Sequence, residues 1–317
     1  MLESLCEFFV VLGKVIYAWL EAVFLFFVPT SFIAKDISGQ TVLVTGAGSG
    51  IGRLLALEFA SHSCRLALWD VNSSGNEETA AMVKKLGTVA RTYTVDVSDK
   101  DNVYAAAKKV MSDLGSVDIL VNNAGIVTGR KFLDCPDSMV LKTMQVNSMA
   151  HFWTVKAFLP SMMIRNHGHI VTIASSAGLL GVTGLSDYCA SKFAAVGFDE
   201  SLRNELMAQN KEGIHTTVVC PYLISTGMFD GCSVRFPWLM NALEPEYVAH
   251  QIMKAILRNQ EFIILPHVLY CFYALKGDDD DDDYDDVVQH SSSQVRLASS
   301  RLSGSFSNDG HLQRACG

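Results

Sequence analysis

Seven short runs of β-branched and apolar residues recur along the chain, with a helix-length stretch between each pair. They are QTVLVTG from Gln40, CRLALWD from Cys64, ARTYTVD from Ala90, DILVNNAG from Asp118, HIVTIASS from His169, HTTVVCP from His215 and EFIILP from Glu261. Each is bounded by Gly, Asp or Pro. Runs that are apolar throughout, rather than alternating, are buried on both faces, and intervening helices of a dozen residues or more make neighbouring strands parallel. The pattern predicts an α/β domain with a doubly wound parallel sheet of about seven strands, a Rossmann fold. In such a sheet ligands bind outside the carboxyl ends of the strands, so the residues that follow each run are where chemistry is expected.

This domain is expected over residues 36–276, between a head (1–35) and a tail (277–317) of different character. Phe8 to Ile33 is nearly all apolar, interrupted by Lys14 and Glu21. Glu7, Lys14 and Glu21 recur every seventh residue, so on a helix they drift only about 20° per step and form one narrow polar stripe. That suits an N-terminal membrane helix, held in or along a bilayer; a helix packed on the domain's own core is the alternative. A cleaved signal peptide fits poorly, because no basic start and no small-residue cleavage site are present. Phe262 to Leu275 reads as a last strand followed by a surface-seeking helix.

The tail opens with Asp278 to Asp283, Asp285 and Asp286, which account for the formal net charge of -8, and continues Ser-rich from Ser291 to Ser307. With no hydrophobic period it is expected to be disordered. Its carboxylates lack the turn glycine of a calcium loop. No basic stripe follows a phosphate backbone, which argues against a nucleic-acid partner. The 8 cysteines form no C-x-x-C pair and no zinc spacing, so no metal is expected and the thiols read as buried or idle in a reducing compartment.

After the first run comes Thr45-Gly46-Ala47-Gly48-Ser49-Gly50-Ile51-Gly52, leading into the helical stretch RLLALEFA. Glycines there let backbone amides approach a pyrophosphate at a helix N-terminus. The second run ends in Asp70, about 20 residues on, where a carboxylate can accept bonds from the adenosine ribose hydroxyls. Its negative charge would repel a 2′-phosphate, which favours NAD, although Arg53 on the following helix leaves NADP open. Asp96-Val97 is placed to meet the adenine, with a helix cap as the other reading of Asp96. Asn122-Asn123-Ala124-Gly125 ends the fourth strand beside the cofactor.

Tyr188 and Lys192 are four residues apart and so share one helix face. A tyrosine of pKa near 10 is a poor base at neutral pH, but an adjacent ammonium and an oxidised nicotinamide both favour its phenolate. Lys192 can also bond the nicotinamide ribose. Ser175, at the end of the fifth strand, can steady charge on a substrate oxygen, with Ser176 as its rival. Asn147, in the helix after the fourth strand, could hold a water that passes protons from Lys192.

In combination these residues resemble the short-chain dehydrogenase/reductase family from about Gly39 to Pro266. The resemblance implies that Asn147, Ser175, Tyr188 and Lys192 form a catalytic tetrad. It also implies that Gly46, Gly50 and Gly52 are cofactor glycines, with Pro221, Ile224 and Thr226 closing on the carboxamide and phosphates. One departure is Tyr222, where the family usually has Gly after Pro. The stretches GNEETAAMVKKLG, NNAGIVTGRKFLDCPD, SSAGLLGVTGLSDYCASKFAAVGF and TGMFDGC are similar to a retinol-oxidising branch of that family. Membership there implies oxidation of all-trans-retinol at the endoplasmic-reticulum membrane or a lipid-droplet surface, and a possible homodimer through the helices after the fourth and fifth strands. The tail after Gly277 does not resemble that branch. The competing expectations are a hydroxysteroid or other lipophilic alcohol as substrate, since the apolar loop from Met228 to Leu243 asks only for a greasy ligand, and a membrane or lipid-droplet protein that keeps the fold as a binding module.

Overall fold

Each of the seven apolar runs forms a strand in the computed structural model of the chain, which describes residues 12–13, 33–229 and 241–276. The strands are β1 (Thr41–Thr45), β2 (Arg65–Asp70), β3 (Ala90–Thr94), β4 (Ile119–Asn122), β5 (Gly168–Ile173), β6 (Ile214–Pro221) and β7 (Phe262–Leu265). They form one sheet in the order β3-β2-β1-β4-β5-β6-β7, with every pairing parallel. The helices between and after them are α1 (Gly50–Ser61), α2 (Ser73–Lys85), α3 (Lys100–Leu114), α4 (Asp137–Met144), α5 (Ala150–Arg165), α6 (Ser186–Ala208), α7 (Pro245–Leu257) and α8 (Leu269–Leu275).

Burial on both sides explains the unbroken apolar runs. All five residues of β1 and all six of β5 are buried. Because side chains alternate across a strand, Val42 and Val44 enter one core with Leu55 and Phe59 of α1 and Ile252 and Ile256 of α7. Leu43 points the other way, into a second core with Trp69 and with Phe158 and Met162 of α5. The sheet is thus sandwiched between two helical layers, which leaves its strand ends as the natural places for polar chemistry.

Local signals set the element ends. Asp99 caps α3 by accepting the amides of Asp101 at 2.9 Å and Asn102 at 3.2 Å, and Gly115 ends that helix at φ 80°. The cap is therefore Asp99 and not Asp96, because Asp99 stands one residue ahead of the first helical turn. Among the described cysteines Cys64, Cys189 and Cys220 are buried, Cys135 is half-buried and Cys271 is exposed, and all five are free thiols.

The chain divides into a unit Met1–Asp36 and a unit Ile37–Gly317. Most of the expected N-terminal membrane helix, part of the Met228–Leu243 loop and the tail from residue 277 lie outside the described residues. Among the described residues no helix is long and apolar enough to cross a membrane.

Phe158 is 1% exposed and its ring centre lies 5.9 Å from that of Trp69. Phe158→Ala should lower the unfolding free energy by about 3–5 kcal/mol, the cost of a large core truncation. Urea unfolding followed by tryptophan fluorescence measures it, and a loss below about 1 kcal/mol would mean that the second core does not depend on this ring.

Candidate active site

The sheet order reverses between β1 and β4, and the crevice above their carboxyl ends is where the glycine turn emerges. Thr45 joins the two strands there: its hydroxyl accepts the amides of Asn123 and Ala124, each at 3.0 Å, and donates to the Val121 carbonyl at 3.3 Å. The Asn123 side-chain Nδ2 donates in return to the carbonyls of Thr45 at 2.9 Å and Gly46 at 3.2 Å. Gly46 adopts φ 66°, and a Cβ added to Gly52 would stand 2.0 Å from the Gly46 carbonyl oxygen. The turn and the first turn of α1 are therefore in backbone contact, which only glycine permits.

Ser49 at the cap position of α1 gives no capping bond from its side chain, and the first turn carries no acidic residue. The positive end of the helix dipole there would favour an anion. Beside it, the Asp70 carboxylate accepts the amides of Gly48 and Asn72, both at 2.7 Å. A Cβ on Gly48 would meet Asp70 Oδ2 at 2.8 Å, so the glycine is what lets the carboxylate reach the turn. Burial raises the Asp70 carboxyl above its ordinary pKa, against the amides of Asn72, Gly48 and Val71 and the charge of Arg53, which lower it. A glycine turn, a helix N-terminus and a buried carboxylate at the end of β2 fit the pyrophosphate and ribose of a dinucleotide.

Arg53 is held from within the chain. Its guanidinium donates to the carbonyls of Gly48 and, at 3.2 Å, Gly75, to Glu78 at 3.1 Å and to the Thr79 hydroxyl at 3.0 Å. Asp96 is likewise engaged: it accepts the Ser98 amide at 2.9 Å and hydroxyl at 2.6 Å, and the Lys142 ammonium at 2.9 Å. Burial works to raise its pKa, but the Ser98 hydroxyl and Lys142 outweigh it and hold the carboxyl below its ordinary value. Val97 packs in the second core with Val95 and Val103.

The other half of the site comes from β5, α6 and the start of α5. Asn147 sits in a single π-helical turn, Gln145–Met149, between α4 and α5. Such turns insert one extra residue and recur at functional sites. Its side chain accepts the Ile126 amide at 2.8 Å and donates to the Ile126 carbonyl at 2.9 Å and to Ser191 Oγ at 3.0 Å. Ser191 in turn donates to the Tyr188 carbonyl at 2.7 Å. Sequence reasoning missed Ser191; its signal was the i, i+3 spacing from Tyr188.

Tyr188 and Lys192 lie one above the other on the buried face of α6, with the ammonium 5.7 Å from the centre of the phenol ring. Lys192 Nζ donates to the Ile173 carbonyl at 2.8 Å, and the Ser175 hydroxyl stands against the Tyr188 phenol, where it favours the phenolate. A Cβ on Gly125 would lie 3.5 Å from both Asn147 Oδ1 and Lys192 Nζ, so β4, α5 and α6 converge on that glycine. Burial pushes Tyr188 up to about 12, partly offset by Ser175, and draws Lys192 down to about 8. His151, one turn after Asn147, is drawn down to about 3 by burial and by the Lys192 charge, and so is neutral.

These groups open into one cleft lined by Ile51, Asn123, Gly125, Ile173, Ala174, Ser175, Tyr188, Lys192, Pro221, Tyr222, Ile224, Thr226 and Met228. Ser175 faces it, whereas Ser176 starts the short turn Ser176–Gly178 and does not line the cleft. Asp96 and Val97 do not line it either; Asp70 stands at the far side of the glycine turn. Tyr222, with its amide bonded to the Leu265 carbonyl at 2.7 Å, fills part of the wall where a glycine would leave it open.

Fold and cleft together define an oxidoreductase built on a dinucleotide-binding sheet. The chain belongs to the short-chain dehydrogenase family, whose model, described as "short chain dehydrogenase", matches residues 40–233. It is 51% identical over 277 residues to epidermal retinol dehydrogenase 2 of Homo sapiens, covering 87% of this chain and 89% of that protein. It is 47% identical to human retinol dehydrogenase 10, covering 86% of this chain and 87% of that one. Among solved structures it resembles a short-chain dehydrogenase/reductase from Burkholderia phymatum in complex with NAD, with TM-score 0.71 and 27% identity over 77% of this chain and 95% of the other. A metagenomic short-chain oxidoreductase in complex with NADP matches with TM-score 0.61 and 26% identity, over 73% and 97%.

Gly52→Ala should destabilise the domain by about 2 kcal/mol or more, since the clash falls on backbone rather than on a movable side chain. Thermal unfolding reads this, and an unchanged Tm would show that α1 can withdraw from the turn without cost.

Proposed function

We propose that this chain oxidises all-trans-retinol to all-trans-retinal with NAD, using Asn147, Ser175, Tyr188 and Lys192, at the endoplasmic-reticulum membrane. The observation that carries the reading is that Ser175, Tyr188 and Lys192 meet at the floor of a cleft whose walls are largely apolar and which runs to the glycine turn. Relatives named as retinol dehydrogenases, about half identical over nearly nine tenths of the chain, support the substrate.

NAD, when bound, supplies the acceptor for the hydride that leaves the alcohol carbon. Tyr188 takes the proton of the alcohol hydroxyl, and Ser175 holds the same oxygen as charge builds on it. In the cofactor-free protein burial keeps Tyr188 protonated, with a pKa of about 12. A cationic nicotinamide and the Lys192 ammonium favour its phenolate. Asn147 and Ser191 fix the helix turn that carries Tyr188. Asp70 disfavours a 2′-phosphate, and Arg53 is already committed to Gly48, Gly75, Glu78 and Thr79, which supports NAD over NADP. Phe152 of α5 and Phe193 of α6, 38% and 40% exposed, favour those helices as the face of a homodimer. The apolar N-terminal segment supports attachment to the membrane from which the lipophilic alcohol would enter.

Membranes containing the full chain, fed all-trans-retinol or a hydroxysteroid with NAD or NADP, test the reading. Retinal should form with NAD, and Tyr188→Phe should lower turnover by about 10²–10⁴-fold, the usual worth of a positioned acid–base group. Turnover of the steroid alone would move the substrate to that class, and no turnover by folded protein would favour a binding module.

The pH dependence follows from the sign of the shifts. A base held protonated by burial gains its active form tenfold per pH unit, while Lys192 loses its supporting charge above about 8. The oxidation rate should therefore climb from neutral pH and level off near pH 8; a flat profile between pH 6 and about 8 would remove Tyr188 as the base.

A further inference from the structure

We propose that Asp199 is a positioning residue for this reaction: its bond to Thr172 fixes the height of α6 along β5 and so sets Tyr188 against Ser175. The inference rests on Tyr188 being the proton acceptor.

On α6, Tyr188, Lys192, Ala195 and Asp199 follow one another at four, three and four residues, so they lie on one face, and all four are buried. Three of them reach β5 or the residues just beyond it. Tyr188 stands against Ser175, Lys192 donates to the Ile173 carbonyl at 2.8 Å, and Asp199 Oδ1 accepts the Thr172 hydroxyl at 2.9 Å. The helix runs antiparallel to the strand, and the three rungs are taken in that order. Behind the site Gly178 approaches α6 closely enough that a Cβ there would meet the Lys192 carbonyl oxygen at 2.7 Å.

The rungs are not equivalent. Tyr188 changes protonation in the proposed reaction, and the Lys192 ammonium would also serve a nicotinamide ribose. Asp199–Thr172 lies outside the cleft and is untouched by the chemistry. It is also costly. Asp199 and Thr172 are both 0% exposed, and burial pushes the Asp199 carboxyl up to about 6, against the pull of Thr172, Thr216 and Arg203. An apolar residue would pack here without desolvating a charge. Arg203, one turn further on, lies 3.6 Å from Asp199 and 3.5 Å from Glu261, just before β7, so the anchor reaches both β5 and the entry to β7. One residue of slip along α6 would be about 1.5 Å, enough to break a hydrogen bond at Tyr188.

The test compares Asp199→Ala and Thr172→Val with the conservative Asp199→Asn and Thr172→Ser, in membranes containing the full chain with NAD and all-trans-retinol, and with Tyr188→Phe as control. Positioning predicts that Asp199→Ala and Thr172→Val lower kcat per folded site about tenfold or more, with KM for the alcohol and NAD affinity within about twofold. Asp199→Asn, which keeps an acceptor oxygen, and Thr172→Ser, which keeps the hydroxyl, should recover most of the loss. If Asp199→Ala does not fold, Thr172→Val and its serine counterpart carry the comparison. A lowered Tm with unchanged kcat in the truncated variants, while Tyr188→Phe is inactive, would overturn the role of Asp199 alone. Full turnover by Tyr188→Phe would overturn the reading of Tyr188 and this inference with it.

Discussion

A parallel sheet covered on both faces has no interior room for unpaired polar groups, so its chemistry is driven to the ends of the strands. Among the described residues the strand-borne part of the site obeys that constraint, and Tyr188, Lys192 and Asn147 reach it from the helical layer. Thr45 closes β1, Asp70 closes β2, Asn122 to Gly125 follow β4, and Ser175 follows β5. Several polar residues buried deeper are tied to one another: Thr154 to Asn122 at 2.8 Å, His169 to Thr217 at 2.8 Å and Thr172 to Asp199 at 2.9 Å. The same sandwich that gives the domain its two cores supplies a rigid rim on which side chains from different strands meet.

At that rim burial sets the electrostatics. Tyr188 is pushed up to about 12, Lys192 drawn down to about 8 and His151 drawn down to about 3. Each shift favours the neutral form, so at neutral pH Tyr188 and His151 are uncharged while Lys192 keeps its charge up to about 8. A cationic partner entering such a place acts with little screening and has a large effect on the tyrosine. This is the physical basis for coupling proton removal to the oxidised cofactor in the proposed reaction. Asp70 is handled differently: backbone amides from Gly48 and Asn72 meet both of its oxygens, so the carboxylate is held in place although it is buried.

Much of this was legible because period and punctuation are local properties. The seven runs became seven strands, and their continuous burial followed from the absence of alternation. The glycines of the first turn were legible for the same reason, since Gly46 needs a positive φ and Gly52 a missing side chain. Local reading left Asp96 between an adenine contact and a helix cap. Short polar residues crowd that turn, and only the path of the chain shows that Asp99 makes the cap while Lys142, 46 residues later, claims Asp96. Arg53 could not be placed either, because its partners on α2 are 22 to 26 residues away.

The sequence by itself determined the order of elements, the parallel sheet and the spacing of Tyr188 and Lys192 on one helix face, because each depends on residues a few positions apart. Tertiary structure alone decided which of Ser175 and Ser176 faces the cleft, that Asn147 bonds Ser191 across 44 positions, and that Thr172 and Asp199 meet beneath the site. Those contacts join separate elements, and their geometry is fixed by how helices pack on the sheet, a property of the assembled layers that no single stretch of the chain carries.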